Sequence, residues 1–285
     1  DLVTGVRPAA APPPRSTAAR VITAIVAVLL IAGTVTLYLV IAHAHPVTDP
    51  DDLAGILSSY AGMGLLVCLI FAILSEPIIR GLVRLVRALP FAGTAGFLAS
   101  REASARPRLT QALVVPITLA AAAVGIMAAW INELTNVMAA QAGSEEKVNA
   151  PPRQMALLLG GPVIVACVCA SAIVFATASH RRADNALLLV SGVTPGVIRT
   201  KALVEAGIHA VICLVCAYGI VVVNDVSMAK ALSTGPVPSV PILAPGWQAA
   251  GVVAVGIALT LLLLLAVTAD GMHRNPVTTI TGGHQ

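Results

Sequence analysis

Residues 181–205 read RRADNALLLVSGVTPGVIRTKALVE and lie between two long apolar stretches. The ends of this segment are charged, and its apolar middle is shorter than the roughly 20 residues that a helix needs to cross a bilayer. Gly192 can end a helix by adopting a left-handed conformation. Thr194 is a suitable N-cap, with Pro195 at the first position of the next helix. The segment therefore predicts a helix, a tight glycine turn and a short helix that leads into the next span. Such a rigid corner suits docking of a soluble partner, although a hairpin that packs only on itself would show the same pattern.

The composition is typical of a membrane protein. Of the 285 residues, 58% are hydrophobic and 11% are charged, whereas soluble domains are about half apolar and a quarter charged. The five cysteines all lie in apolar stretches. Cys213-x-x-Cys216 resembles half of a redox or zinc motif, but its position inside a span favours two small buried side chains. The net charge of +4 is weak evidence for a nucleic-acid partner. The distribution of the basic residues along the chain, described next, explains this charge better.

Six apolar stretches are long enough to cross the hydrocarbon core as helices. They are residues 21–43, 55–77, 111–132, 155–178, 202–224 and 248–269. With the N-terminus in the cytoplasm, all 17 Lys and Arg residues except Lys147, Arg153 and Lys230 fall on the cytoplasmic side, as the positive-inside rule requires. We therefore predict an all-α integral membrane protein with six transmembrane helices, both termini in the cytoplasm and short amphipathic helices on the cytoplasmic surface.

Six arginines between the second and third spans are predicted to lie at the membrane interface. In residues 77–89, PIIRGLVRLVRAL, the arginines recur at helical spacing and share one face. Such a helix can lie in the interface with its arginines on anionic headgroups, although the solvated end of the second span would show the same pattern. Residues 97–110, FLASREASARPRLT, form either a second amphipathic elbow or a basic flank that fixes the topology. The six residues are Arg80, Arg84, Arg87, Arg101, Arg106 and Arg108.

Other ionisable residues have a structural explanation beside a functional one. Glu205 and His209 lie one turn apart at the inner end of the fifth span, where they would form a proton-sensitive pair or simply anchor the corner. Glu76 and Arg80 have the spacing of an ion pair on one helix face. The pair His43-x-His45 lies near several aspartates, but this spacing is common. We therefore predict no metal site and no catalytic residue.

The same segment resembles the FtsX/MacB-type ABC transporter permeases. In that family a stretch of the form R-x-x-E-x-x-x-L-x-x-x-G-A-T/S, a basic helix and E-A/G join the second and third helices of a four-helix unit. The resemblance lies in Arg182, the apolar run to Gly192, Thr194 and Glu205. Here aspartate and asparagine stand in place of the usual glutamate before the apolar run, and valine in place of the usual alanine after the glycine.

The resemblance covers residues 92–285 and implies a division of the chain into three parts. Residues 1–20 are a cytoplasmic Pro/Ala-rich linker. Residues 21–91 hold two linker transmembrane helices and the interfacial basic helix, and residues 92–285 form an FtsX-like four-helix permease unit. Because the chain begins at Asp1, we expect it to be the C-terminal part of a long actinobacterial-style permease with an upstream permease unit.

The resemblance implies a multi-pass permease subunit of the plasma membrane. Such a subunit couples ATP hydrolysis by a separate subunit to the movement of its own helices, for export or for mechanotransmission. The sequence has no G-x-x-x-x-G-K-[ST] loop, so ATP and Mg²⁺ are expected on the ATPase partner and this subunit is not expected to be an enzyme. The expected partners are a dimer of ABC ATPase subunits, a second permease unit and the lipid bilayer. The residues expected to contact the ATPase are Arg181, Arg182, Asp184, Leu187, Leu188, Val190, Gly192, Thr194, Pro195, Arg199 and Glu205.

A non-ABC polytopic protein, such as a secondary transporter, is the alternative. That class places substrate-binding charges near the bilayer midplane and breaks helices in matching halves, whereas the six apolar stretches carry no central Asp, Lys or Arg. A membrane-embedded enzyme would need convergent catalytic side chains, and the sequence suggests none.

Overall fold

A computed structural model of the chain describes residues 17–43, 50–88, 94–105, 107–141, 152–234 and 247–273. Within these ranges the chain forms seven α-helices and no strand. The helices are α1 (Thr17–Ala42), α2 (Pro50–Ala88), α3 (Thr94–Ala105), α4 (Pro107–Gln141), α5 (Pro152–Val190), α6 (Pro195–Thr234) and α7 (Trp247–His273).

Four of these helices are long and apolar enough to cross a membrane. Their apolar segments are Val21–Ile41 in α1, Ser59–Val86 in α2, Leu109–Ile131 in α4 and Pro195–Ser227 in α6. The other two predicted spans fall within α5 and α7, where the apolar segments found among the described residues are shorter, at Val163–Ala176 and Ala250–Leu263. The described part of the chain is thus all-helical, and its long apolar helices indicate a membrane protein.

Helices α4 and α6 form the centre of the bundle. α4 packs against α2, α5, α6 and α7, and α6 packs against α1, α2, α3, α4 and α7. Small side chains fill these contacts, including Ala121 of α4 and Ala217 of α6, which are fully buried. α1 lies at the edge, where Ile22 and Leu29 are 60% and 65% exposed. Lipid tails are as apolar as these side chains, so a bilayer accommodates such a surface without a covering helix.

Two glycines let neighbouring helices approach α4 closely. A Cβ atom at Gly64 of α2 would lie 2.7 Å from Cγ2 of Ile126, and one at Gly256 of α7 would lie 3.0 Å from Cγ2 of Ile117. In lipid, helices associate mainly through close van der Waals packing of this kind. The central helix is therefore held on two sides by isoleucines that pack directly on glycines.

The basic stretch after the second span is not a separate helix. α2 runs unbroken through Pro77 to Ala88, which agrees with the second of the two interpretations, that the stretch continues the helix of the second span. A proline inside a helix costs about 3 kcal/mol. Packing beyond the proline offsets this cost, because Ile79 and Val83 are 1% and 3% exposed.

The short helix expected after the glycine turn is likewise continuous with the next span. α6 runs from Pro195 to Thr234 without a break, so its first turns take the place of a separate element. Ile198, Ala202 and Ala206 in this part of α6 are buried, and they continue the packed face of the span. α3, with 12 residues, is a short helix between the second and third predicted spans.

Candidate functional site

The predicted corner is present as a tight turn that follows the end of α5 at Val190. Gly192 has a φ of 89°, in the left-handed region that glycine enters without a steric penalty. The N–H of Gly192 donates to the carbonyl of Leu189, and the N–H of Val193 donates to the carbonyl of Leu188, each at 3.0 Å. These bonds satisfy carbonyls that would otherwise have no partner at the end of a helix.

The start of α6 also follows the prediction. The carbonyl of Thr194 accepts hydrogen bonds from the N–H groups of Val197 at 3.0 Å and Ile198 at 3.4 Å, which is the backbone pattern of an N-cap residue. Pro195 occupies the first helical position, where its missing N–H is not needed. The turn, residues 191–194, is therefore fixed by local backbone chemistry on both sides.

Replacement of Gly192 by alanine is expected to lower the free energy of unfolding by about 1–2 kcal/mol, the cost of a Cβ atom in the left-handed region. No atom lies within 4 Å of the position of that Cβ, so the effect reports backbone strain and not a clash. Gly207→Ala in α6 is the matched control, since its surroundings are equally open and alanine favours a helix. Unfolding in mixed detergent micelles measures both variants. If Gly192→Ala is as stable as the unmodified chain, the assignment of backbone strain to position 192 is contradicted.

The tip of the corner exposes apolar side chains. Leu187 and Val190, at the end of α5, are 58% and 68% exposed. Pro195 and Arg199, at the start of α6, are exposed as well. At 1.5 Å per helical residue, Val190 lies about 14 Å along the helix axis from Arg181. The tip of the corner thus combines exposed apolar side chains with the positive charge of Arg199, and its Val190 lies well beyond the buried Arg181.

A buried ion pair closes the base of the corner. Nη1 of Arg181 lies 2.8 Å from Oε1 and 3.0 Å from Oε2 of Glu205, and the two residues are 8% and 4% exposed. The described parts of α5 and α6 form no packed interface with each other, because each helix packs on α4 and α7 instead. The two helices therefore diverge from the turn, and the ion pair links them directly.

A second ion pair attaches α3 to α6. Lys201 pairs with Glu102, and their side chains are 9% and 19% exposed. Ala99 and Ala103 lie one turn apart on α3 and are 0% and 5% exposed, so small side chains bring α3 close to its neighbours. Glu102 was missed as a candidate in the sequence, because helical spacing reports partners on the same helix and not on another one.

Arg181, Glu205 and Glu102 from these two ion pairs line a small cavity between α3, α4, α5 and α6. The cavity has a volume of about 10 Å³, which is room for one water molecule. His209, one turn beyond Glu205, is 2% exposed. The structure thus brings the predicted Glu205 and His209 together with Arg181. The lining residues are Glu102, Ala103, Leu109, Thr110, Leu113, Arg181, Glu205 and His209.

The other residues that the sequence predicts to contact the ATPase differ in their exposure. Gly192 and Thr194 are exposed, while Asp184 and Leu188 are half-buried. The side chain of Arg182 lies outside the described side chains. Arg181 and Glu205 differ from the exposed members of the set, since they are buried and pair with each other. Their role is therefore to hold the corner, while Leu187 and Val190 form its surface.

Three of the predicted interfacial arginines, Arg80, Arg84 and Arg101, are exposed. Arg80 pairs with Glu76 one turn earlier, as predicted, and the guanidinium of Arg101 lies 5.1 Å from the ring centre of Phe97. Arg106 lies outside the described residues, as do the side chains of Arg87 and Arg108.

The other candidate ligands do not assemble in the part of the chain that the structure describes. No group of three or more His, Cys, Asp and Glu side chains that could hold a metal occurs there. Nδ1 of His43 lies 2.8 Å from the carbonyl oxygen of Leu39, and His45 is outside the described residues. Cys213 and Cys216 are buried free thiols, in agreement with their interpretation as small buried side chains.

A second buried polar cluster joins α2 to the far end of α6. The hydroxyl of Tyr60 donates to Oδ1 of Asp225, and Asn224 is fully buried. The predicted topology puts Asp225 in an outer loop, but α6 extends beyond the predicted span and buries it to 6% exposure. The 20 residues from Glu205 to Asp225 cover about 30 Å of helix, which equals the thickness of the hydrocarbon core. α6 therefore carries two buried polar clusters that are about 30 Å apart along its axis.

Comparison of the chain with protein-family models, with curated proteins and with solved structures found no match. The geometry of the corner and the resemblance of residues 181–205 described above therefore provide the basis for a functional proposal.

Proposed function

We propose that this chain is the transmembrane permease subunit of an ABC transporter of the FtsX/MacB type, and that the α5–α6 corner is its contact with the ATPase subunit. The observation that carries the proposal is the combination of an exposed apolar tip, Leu187 and Val190, with a base fixed by the buried Arg181–Glu205 pair. A tip that only packed on its own chain would bury these side chains.

The charge distribution supports a cytoplasmic position for the corner. α3 packs against both α2 and α6, so the basic end of α2, with Arg80 and Arg84, lies at the same end of the bundle as the Lys201–Glu102 pair. Arg101 and Arg199 add positive charge to this end. Because Lys and Arg concentrate on the cytoplasmic side, we place this end inside, with six spans and both termini in the cytoplasm of a multi-pass plasma-membrane protein.

The diverging helices suggest how a push on the tip reaches the membrane. α5 and α6 each pack along α4 and α7, while the Arg181–Glu205 pair and the turn join them near the cytoplasm. A displacement of the tip therefore moves two spans together and shifts both against the central helix α4. In this proposal a dimer of ATPase subunits binds ATP and Mg²⁺, a second permease unit completes the membrane part, and the bilayer surrounds α1.

Photo-crosslinking from the tip tests the proposal even though the partner is unidentified. A photo-reactive phenylalanine analogue in place of Val190 is expected to capture, in native membranes, a protein that mass spectrometry identifies by its G-x-x-x-x-G-K-[ST] peptide. The same analogue in place of Val165 is the control, because that residue is 63% exposed in the apolar segment of α5 and should contact lipid. Capture of no ATP-binding subunit from position 190, or equal capture from both positions, would overturn the proposal.

Charges placed on the tip are expected to abolish the association with the captured subunit. In Leu187→Asp combined with Val190→Asp, two desolvated carboxylates would replace apolar contacts, and burial of an unpaired charge costs several kcal/mol. We expect at least about a tenfold loss of co-purified ATPase, which corresponds to 1.4 kcal/mol. Leu85→Asp is the matched control, since Leu85 is 64% exposed on α2. Retained association in the double variant would contradict docking at the tip.

A secondary transporter is the second candidate, and the Tyr60–Asp225 hydrogen bond is the observation that favours it. Intramembrane carboxylates commonly mark ion or substrate pathways. Uptake into proteoliposomes that is driven by an ion gradient without ATP, and is lost in Asp225→Asn, would support this function over the ABC permease.

A further inference from the structure

Two residues that line the cavity at the base of the corner each have a buried side-chain nitrogen without a hydrogen-bond partner in the described structure. Nε of Arg181 and Nδ1 of His209 are both buried and make no hydrogen bond to the described protein atoms. Both residues line the cavity, and they are 8% and 2% exposed. A buried polar group without a partner costs about 1–3 kcal/mol, so the two orphaned atoms together point to an occupant that serves both.

The charges around the cavity restrict what this occupant can be. The positive charge of Arg181 is balanced by the negative charge of Glu205, and that of Lys201 by Glu102. Of these four charged side chains, Arg181, Glu205 and Glu102 line the cavity, while Lys201 lies outside its lining. Each lining charge already has a partner of opposite sign, so a neutral occupant is favoured. The volume of about 10 Å³ is the space of a single water molecule, which typically makes about three hydrogen bonds when buried.

Water also fits the hydrogen-bonding chemistry of both orphaned atoms. The Nε–H of Arg181 is a donor and needs an acceptor. Nδ1 of His209 is a donor or an acceptor according to the tautomer of the ring. A water molecule accepts from Arg181 and either donates to His209 or accepts from it, so it satisfies both tautomers.

We propose that the cavity between α3, α4, α5 and α6 is a hydration site that binds one water molecule, which links Arg181 of α5 to His209 of α6. The water adds a second connection between the two diverging helices, beside the Arg181–Glu205 pair. Because a water can exchange its hydrogen-bond partners, the junction tolerates a change in the distance between α5 and α6 without leaving a buried polar atom unsatisfied. The site does not depend on the identity of any partner of the tip.

Radiolytic footprinting of the purified chain in detergent tests the site. A short X-ray pulse makes hydroxyl radicals from bound water, and these oxidise side chains next to that water even when bulk solvent does not reach them. Leu113 and His209 line the cavity and are each 2% exposed, so both are expected to be oxidised despite their burial. Ile117 is the internal control, because it is 1% exposed, lies one turn from Leu113 and does not line the cavity. Oxidation of Leu113 and His209 no faster than that of Ile117 would overturn the proposal.

Two substitutions of one lining residue separate the water from a general opening of the fold. Thr110→Leu places a larger side chain in the cavity and is expected to abolish oxidation of Leu113 and His209. Thr110→Val removes the hydroxyl but keeps the volume, so oxidation is expected to persist. Persistent oxidation in a folded Thr110→Leu variant would locate the labelling water elsewhere and refute the site. If that variant does not fold, the comparison of Leu113 with Ile117 in the unmodified chain still decides the question.

Discussion

Replacement of Arg181 by methionine is expected to lower the free energy of unfolding by about 3–5 kcal/mol, the cost of leaving one member of a buried ion pair without its partner. Glu205 is 4% exposed, and the guanidinium of Arg181 contacts both of its carboxylate oxygens. Glu205→Met should have a similar effect for the same reason. The double variant with methionine at both positions should be more stable than either single one, because two apolar side chains of similar volume bury without an unpaired charge.

Unfolding in mixed detergent micelles measures these free energies, and a thiol-reactive dye provides a second signal because Cys213 and Cys216 are buried in the folded chain. Arg199→Met is the matched control, since Arg199 is exposed at the start of the same helix. A double variant as unstable as the sum of the two single variants would show that the two side chains act independently and would refute the link between α5 and α6.

Gly64→Leu is expected to destabilise the bundle by about 1–3 kcal/mol or more, the usual cost of overpacking a core. A Cβ atom at Gly64 would lie 2.7 Å from Cγ2 and 3.0 Å from Cδ1 of Ile126, and 3.5 Å from Oδ1 of Asn224. The additional carbons of leucine would therefore force α2 away from both α4 and α6. The separation should also break the hydrogen bond between Tyr60 and Asp225 one turn away.

Gly62→Leu is the matched control for this prediction. Gly62 lies on the same helix as Gly64, but no atom of a neighbouring element lies within 4 Å of the position of its Cβ. It should leave the midpoint of thermal unfolding close to that of the unmodified chain. If both leucine variants unfold at the same temperature, the close approach of α2 to α4 does not contribute to stability.

The corner itself was predictable because its chemistry is local. A left-handed Gly192, an N-cap at Thr194 and a proline at the first helical position are each decided by the conformational preferences of one or two residues. The structure shows all three features. The continuity of α2 through Pro77 was not predictable in the same way, because burial of Ile79 and Val83 against other helices outweighs the local cost of the proline.

The partners of the buried polar residues could not be read from the sequence. Arg181 and Glu205 both belong to the predicted corner, but the sequence does not pair them, since they are 24 positions apart on different helices. Tyr60 and Asp225 are separated by 165 positions, and Glu102 gave no signal at all within α3. Helical periodicity identifies neighbours three or four residues apart, and it carries no information about which helix packs opposite.

By itself, the sequence determined that this chain is a helical protein with long apolar segments and a glycine turn between two of them, because hydropathy and turn chemistry act over a few residues. The tertiary structure decided that α4 and α6 are central, that α5 and α6 diverge and that Arg181, Glu205 and Glu102 meet around one small cavity. These features depend on which helices pack together, and packing is a property of side-chain shape across distant parts of the chain.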